Sequence, residues 1–307
     1  MQLKRCVLRG FDTGADFPRN LHSATVAMKR PAQQPPEPTA KSSAGGDIAF
    51  SPARRRMYRL LAVLAPFILL FAIEGVLRLC GFGGHPSVIK VVGPYRDGQL
   101  ATTYIPGATT YFDTSKSTPG SIGQYAFLHP KPSNTTRILL AGASAIQGYP
   151  QPLAFANSAF LREMLADVWP QRSVEVINLG TTAVATFPVL DMLTQALAYQ
   201  PDLVVIYAGH NEFFGAYGVA SLQSGGDSPG AIRFHHWSSG LGITQGWRRL
   251  TAGRGAQSSG ALMEVMVGRA YVGPDDPLRQ AAARNVGAHV RAMIERCQAQ
   301  AVPVIVC

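Results

Sequence analysis

From Arg137 onward the apolar residues fall into short unbroken runs, RILLAGAS, VEVINLG, DLVVIYAG and VPVIVC. Between them lie stretches with helical spacing. LAFANSAFLREMLADVW repeats its apolar positions at Phe160, Leu161, Met164, Leu165 and Val168, and PVLDMLTQALAY and ARNVGAHVRAMIERCQAQ follow the same period. An aliphatic run with no polar alternation predicts a strand covered on both faces, and strands alternating with helices predict a parallel sheet. The expected architecture of residues 137–307 is α/β, a doubly wound parallel sheet.

The pattern before Arg137 is different. Residues 1–56 contain KRPAQQPPEPTAKSSAGG, which has almost no aliphatic residue to bury and reads as a disordered tail; translation starting at Met28 is compatible with it. From Leu60 the chain reads LLAVLAPFILLFAIEGVLRL, apolar as far as Ile73, close to the roughly 20 residues that span a bilayer. Arg54, Arg55, Arg56 and Arg59 precede it, so the positive-inside rule predicts a signal anchor over 57–80 with the tail cytoplasmic and the rest periplasmic or extracellular. Two other readings compete with it. A cleaved signal needs a small-x-small site, which AIEGVLRLCGFGG supplies poorly, and a buried soluble helix does not explain the arginines. Residues 81–136, punctuated by Pro and Gly, read as an extended lead-in packing against the main domain. Phe213 to Asp276 is a Gly- and Ser-rich insertion carrying His235, His236, Trp237 and Trp247.

Charge and cysteines narrow the function classes. The net charge is +10, and residues 1–59 alone hold 11 Lys/Arg against 4 Asp/Glu, or +7. The basic character therefore belongs to the tail and gives no reason to expect nucleic acid. Cys6, Cys80, Cys297 and Cys307 share no metal-ligand spacing and make no disulfide framework. Cys80 follows an apolar segment as a lipidated cysteine would, but Leu79 stands where that processing wants a small residue.

Ligands of open parallel sheets bind outside the carboxyl ends of the strands. Those ends hold Gly142-Ala143-Ser144, Asn178-Leu179-Gly180 and Gly209-His210-Asn211-Glu212. Acyl transfer needs a nucleophilic hydroxyl and preorganised donors for the oxyanion. Ser144 supplies the first together with its own N–H, Gly180 a second N–H and Asn211 an amide. Each segment read singly is also an ordinary tight turn. No G-x-G-x-x-G opens the first helix, so a dinucleotide site is not expected, and no metal or organic cofactor is implied.

The three segments in this order resemble the SGNH, or GDSL, hydrolases: Ser144 in GASAIQG, Gly180 in NLGTTA and Asn211 in GHNEFFG match that family's first three blocks. The resemblance covers about residues 137–307. It implies a flavodoxin-like sandwich and an esterase with Ser144 as nucleophile and Ser144, Gly180 and Asn211 around the oxyanion, acting on an ester such as that of an acylated glycan or lipid. Ala143 stands where an acidic residue is common, and Glu212 where Asp is. The fourth block, Asp-x-x-His, does not occur after Asn211; the resemblance places it beyond Cys307, in a chain truncated on its last strand and, as it stands, inactive. Among the histidines present, His210 reads as a loop-orienting residue, His235 and His236 as loop residues, and His289 as surface. The alternatives are an O-acetyl transferase or esterase of cell-surface polysaccharide and a non-catalytic glycan-binding module of the envelope.

Overall fold

A computed structural model describes residues 51–114, 119–251, 262–269 and 271–307. The tail to residue 50, with Cys6 and Met28, and part of the insertion lie outside the described residues. Met57–Cys307 form one compact unit.

Helix α1 (Pro52–Leu79) is 28 residues long and buries none of its side chains. At 1.5 Å per residue it is about 42 Å long, more than the ~30 Å of a bilayer's hydrocarbon core. Among the described residues it is the helix long and apolar enough to cross a membrane. It opens at Pro52, so Arg54, Arg55 and Arg56 are already helical.

The lead-in has more regular structure than its Pro and Gly content predicts. β1 (Ile89–Tyr95), β2 (Gly98–Thr103) and, after the short α2 (Ile105–Thr109), β3 (Ala126–His129) form an antiparallel sheet in the order β1-β2-β3. The second sheet is the one expected. β4 (Thr135–Gly142) is followed by α3 (Ser144–Gln147) and α4 (Asn157–Val168), β5 (Ser173–Asn178) by α5 (Thr186–Ala196), and then β6 (Leu203–Tyr207). The insertion supplies α6 (Pro229–Ser239), α7 (Gly242–Thr251) and α8 (Leu262–Val265) before α9 (Pro277–Ala299) and β7 (Val304–Val306). The four strands are parallel, in the order β5-β4-β6-β7.

The alternation along β4 shows why both faces are covered. Ile138 and Leu140 pack with Val176, Leu161 and Leu165 on the α4 side. Leu139 and Ala141 join Ile177, Val204, Ile206, Met192, Leu193, Met293 and Cys297 in the larger core beneath α5 and α9. Helical spacing gave α4 correctly but not its buried face: Leu161 and Leu165 pack inward, while Phe160, Met164 and Val168 are 56%, 64% and 66% exposed.

Among the described residues one charged side chain lies entirely inside. Arg137, fully buried at the start of β4, donates from Nε to Glu175 Oε2 at 2.7 Å, from Nη1 to the Tyr199 carbonyl and from Nη2 to the Leu128 carbonyl. Its guanidinium also lies 4.8 Å from the Phe127 ring centroid. Phe127 and Leu128 belong to β3, so this cation joins the antiparallel sheet to the parallel one. Arg137→Met is expected to destabilise the protein by about 3 kcal/mol, because two buried carbonyls and a carboxylate lose their donor. Urea unfolding of the two proteins checks this; unchanged stability would show that the sheets are held together by apolar contact alone.

Candidate active site

The strand order puts the turn after β4 at the point where connections diverge to β5 on one side and β6 on the other, the place where open sheets form a ligand crevice. Register aligns the three ends: Leu140 pairs with Asn178, and Gly142 with Tyr207. The Thr181 N–H still reaches the Gly142 carbonyl at 3.3 Å, so the loop carrying Gly180 remains beside β4 after the strand has ended. The structure thus brings Ser144, Gly180 and Asn211 to one sheet edge.

Small residues let the turn after β4 fold tightly. A Cβ at Gly142 would stand 2.3 Å from the Tyr207 carbonyl oxygen and 2.5 Å from Ile146 Cγ1. At Gly180 it would stand 2.2 Å from the Gln147 backbone nitrogen, so α3 rests directly on the loop after β5. Ser144 is the first residue of α3 and is partly exposed; among the described residues nothing is hydrogen-bonded to its hydroxyl. Its N–H belongs to the first helical turn, where backbone donors have no intrahelical acceptor. Gly148 closes α3 in the left-handed region, at φ 90°, which glycine adopts without the clash a Cβ brings.

Asn178 holds this turn in place. Its Nδ2 donates to the Ile146 carbonyl at 2.6 Å and to Ser158 Oγ at 3.1 Å, while Oδ1 accepts the Gly180 N–H at 2.8 Å. The Gly180 N–H therefore already has an acceptor. From the lead-in, Tyr125 shares a hydroxyl contact with Ser158 at 3.0 Å, and Ser121 accepts from Gln147 Nε2 through both its carbonyl and its hydroxyl at 3.0 Å. Ser121 also donates its N–H to Thr182 Oγ1 at 2.7 Å. The lead-in thus braces the turn after β4 and the loop after β5 together. Asn178 stands in the second segment that sequence reading singled out, but its use as a brace is set by contacts remote in sequence, as are the roles of Ser121, Gln147 and Tyr125.

Asn211 offers the opposite situation. Its Nδ2 is buried and has no hydrogen-bond partner, a donor already desolvated and unengaged. The loop bearing it is fixed by the Gly215 N–H to the Asn211 carbonyl at 2.8 Å, and it is tied to the loop after β5 by the Ala185 N–H to the Ala216 carbonyl at 3.0 Å and the Ala216 N–H to the Ala183 carbonyl at 2.8 Å.

Next to it, Glu212 is 3% exposed and accepts from the Thr186 N–H at 3.0 Å and the Thr186 hydroxyl at 2.6 Å, capping α5 from a distance. With the Thr186 proton given to Glu212, the 2.9 Å contact to His289 Nδ1 makes that nitrogen the donor. His289 is thus buried, 3% exposed, and not the surface residue its helical position suggests. Burial raises the Glu212 carboxyl to about 7 despite the two hydrogen bonds that favour its anion. Burial, with the Arg233 charge, lowers His289 to about 4.

Among the described residues no histidine is hydrogen-bonded to Ser144. His210 is exposed and lies against the Tyr207 ring at 5.6 Å between centroids, with no hydrogen bond orienting its loop. His236 stacks on His85 at 4.2 Å and pairs through Nδ1 with the Tyr217 hydroxyl at 2.9 Å, and His235 lines a small polar cavity with Tyr111 and Arg248. Burial and the neighbouring His85 lower His236 to about 4. Among the described residues no three His, Cys, Asp or Glu side chains converge as metal ligands would.

No protein-family model matches the sequence, and no curated protein matches it. Among solved structures the chain is similar to AlinE4, an SGNH-hydrolase family esterase: 22% identity over 40% of this chain and 58% of that one, with a TM-score of 0.25. A lipase/acylhydrolase from Enterococcus faecalis is 18% identical over 55% of this chain and 74% of its own, TM-score 0.26. A variant of the acetyl xylan esterase Axe2 from Geobacillus stearothermophilus is 14% identical over 55% and 75%, TM-score 0.26.

Glu212 and His289 impose opposite pH dependences. A carboxyl raised from 4.5 to about 7 contributes stability that is complete below pH 4.5 and lost as pH rises through 7. An imidazole lowered from 6.5 to about 4 contributes stability that is complete above pH 6.5 and lost as pH falls through 4; His236 acts in the same sense. Glu212→Gln removes one side of the balance, so its urea midpoint is expected to fall more steeply than that of the unaltered protein between pH 6.5 and 4.5. Parallel profiles would show that the Glu212 carboxyl titrates as an ordinary surface group.

Proposed function

We propose that the crevice at the ends of β4, β5 and β6 hydrolyses an ester, with Ser144 as nucleophile. The observation that carries this reading is Asn211 Nδ2, a buried amide donor with no partner, on the same sheet edge as a serine hydroxyl that also has none. A buried unpaired donor is unfavourable by about 1–3 kcal/mol in the resting protein, and an oxyanion delivered to it removes that penalty in the transition state. Ser144 Oγ attacks the ester carbonyl, charge develops on the carbonyl oxygen, and the Ser144 N–H and Asn211 Nδ2 meet it. The alcohol leaves, and water releases the acid from the acyl-serine. The Gly180 N–H, engaged by Asn178, joins as a shared third donor and keeps α3 seated. The fold in this reading is the flavodoxin-like sandwich of the SGNH hydrolases.

The attack needs a proton acceptor for Ser144, and by the same resemblance that is the histidine of an Asp-x-x-His pair, which residues 212–307 do not contain. With α1 in a bilayer and the arginines at its start on the cytoplasmic side, the crevice works in the periplasm or outside the cell.

Imidazole in solution is an exchangeable base for such a site, so hydrolysis of p-nitrophenyl acetate is measured with and without it. The expected result is an imidazole-dependent rate that Ser144→Ala reduces to the solution background. Asn211→Ala is expected to lower the Ser144-dependent part by about 10²–10³-fold, as for loss of one oxyanion donor. Equal rates for the unaltered chain and Ser144→Ala, with or without imidazole, would leave the crevice as a binding site only.

A further inference from the structure

The insertion carries apolar side chains that the ester chemistry does not use. On α7, Trp247 and Leu250 are 67% and 86% exposed, and on α6 Phe234 and Trp237 are 65% and 58% exposed, their rings 5.7 Å apart. Such a group on a water-facing surface needs a partner.

The partner is indicated by where α7 begins. Glu74, the first residue after the apolar run of α1, accepts from the Gly242 and Ile243 N–H groups at 2.9 and 3.1 Å, capping α7 with a carboxylate from α1. Arg78, paired with Glu74 at 2.8 Å, donates to the Gly240 carbonyl at the end of α6. A Cβ on Gly242 would meet Leu77 Cβ at 3.0 Å, so the two helices touch. Further along, Arg249 lies over the Phe82 ring at 4.7 Å. Gly242, Gly246 and Arg249 thus form the edge of α7 that faces α1 and Phe82, at i, i+4 and i+7.

Ile243, Trp247 and Leu250 repeat the same spacing one residue, or about 100°, further round. The exposed stripe therefore adjoins the edge that holds α1. Glu74 also sets its height, because the apolar run ends at Ile73. Trp247 is five residues from Gly242, about 7.5 Å along the helix axis, and a headgroup layer is about 5–7 Å deep on each side. Trp247 therefore lies within about 7.5 Å of the height of Gly242, and with α7 near the membrane plane its ring falls inside that layer.

Resting on the reading of α1 as a membrane anchor, we propose that α6 and α7 form a collar on the bilayer leaflet at the C-terminal end of α1. Trp247, Leu250, Phe234 and Trp237 sit in the interfacial layer. Tryptophan favours that layer because its ring is apolar and its N–H polar.

The chain has three tryptophans, Trp169, Trp237 and Trp247, and Trp169 lies just after α4, away from the insertion, as an internal control. The test uses the full chain reconstituted in phosphatidylcholine–phosphatidylglycerol vesicles with lipid brominated near the headgroup end of the acyl chain. Variants keep one tryptophan each, the others changed to Phe. Emission from Trp247, and less strongly from Trp237, is expected to fall at least two-fold on going to brominated lipid, with Trp169 unchanged. Should a variant not fold, the unaltered chain gives the same readout as the fraction of emission that brominated lipid quenches and acrylamide does not. Trp247 quenched no more than Trp169, in protein that floats with vesicles and resists carbonate extraction, would overturn the collar and leave the anchor standing. Protein that carbonate strips from the vesicles would overturn both.

Discussion

Two backbone approaches with no room for a side chain control the candidate site. The Gln147 nitrogen sits where a Cβ on residue 180 would be, and the Tyr207 carbonyl where one on residue 142 would be. With glycine at both positions the chain leaving β4 folds down between its two neighbours instead of rising away from them. That tight descent turns Ser144 into the first residue of a helix at the strand edge. A side chain at either glycine would force the turn outward and separate Ser144 from the loop of Asn211. The small residues around the serine therefore shape the backbone first and open the approach to the hydroxyl second.

Polar groups buried by the descent must be paired, and the pairing comes largely from the lead-in. Asn178 satisfies an Ile146 carbonyl and a Gly180 N–H, Ser158 satisfies Asn178, and Tyr125 satisfies Ser158. Gln147 is tied to Ser121 and Ser121 to Thr182. A segment that looks like a connector is thus part of the support of the site, and Arg137 fastens it to the sheet from the other end.

The four parallel strands and the helices between them were legible because strands covered by helices are rich in aliphatic residues, and these dominate RILLAG, VEVIN, LVVIY and VIV. The three candidate residues were legible because each ends one of those strands. Other features depend on partners that local pattern does not contain. Pro and Gly dilute the alternation of β1 and β2, whose pairing with each other and with β3 settles their structure. An arginine opening a strand reads as exposed, and Arg137 is buried only because Glu175, Tyr199 and Leu128 converge on it. His289 looked like a surface residue for the same reason; Thr186, 103 residues earlier, makes it an interior one.

The carboxylate of Glu74 has a mechanical consequence. A domain on a Gly- or Ser-rich linker swings through a volume set by the linker's length, and its crevice samples many heights above a membrane. Here α1 continues without such a linker into contacts with Gly240, Gly242 and Ile243. With α1 in a bilayer, the α/β fold stands on a short rigid post, not a rope. The crevice then stands at one altitude and one inclination, and a ligand fixed in the surrounding surface is met or missed according to how far it projects.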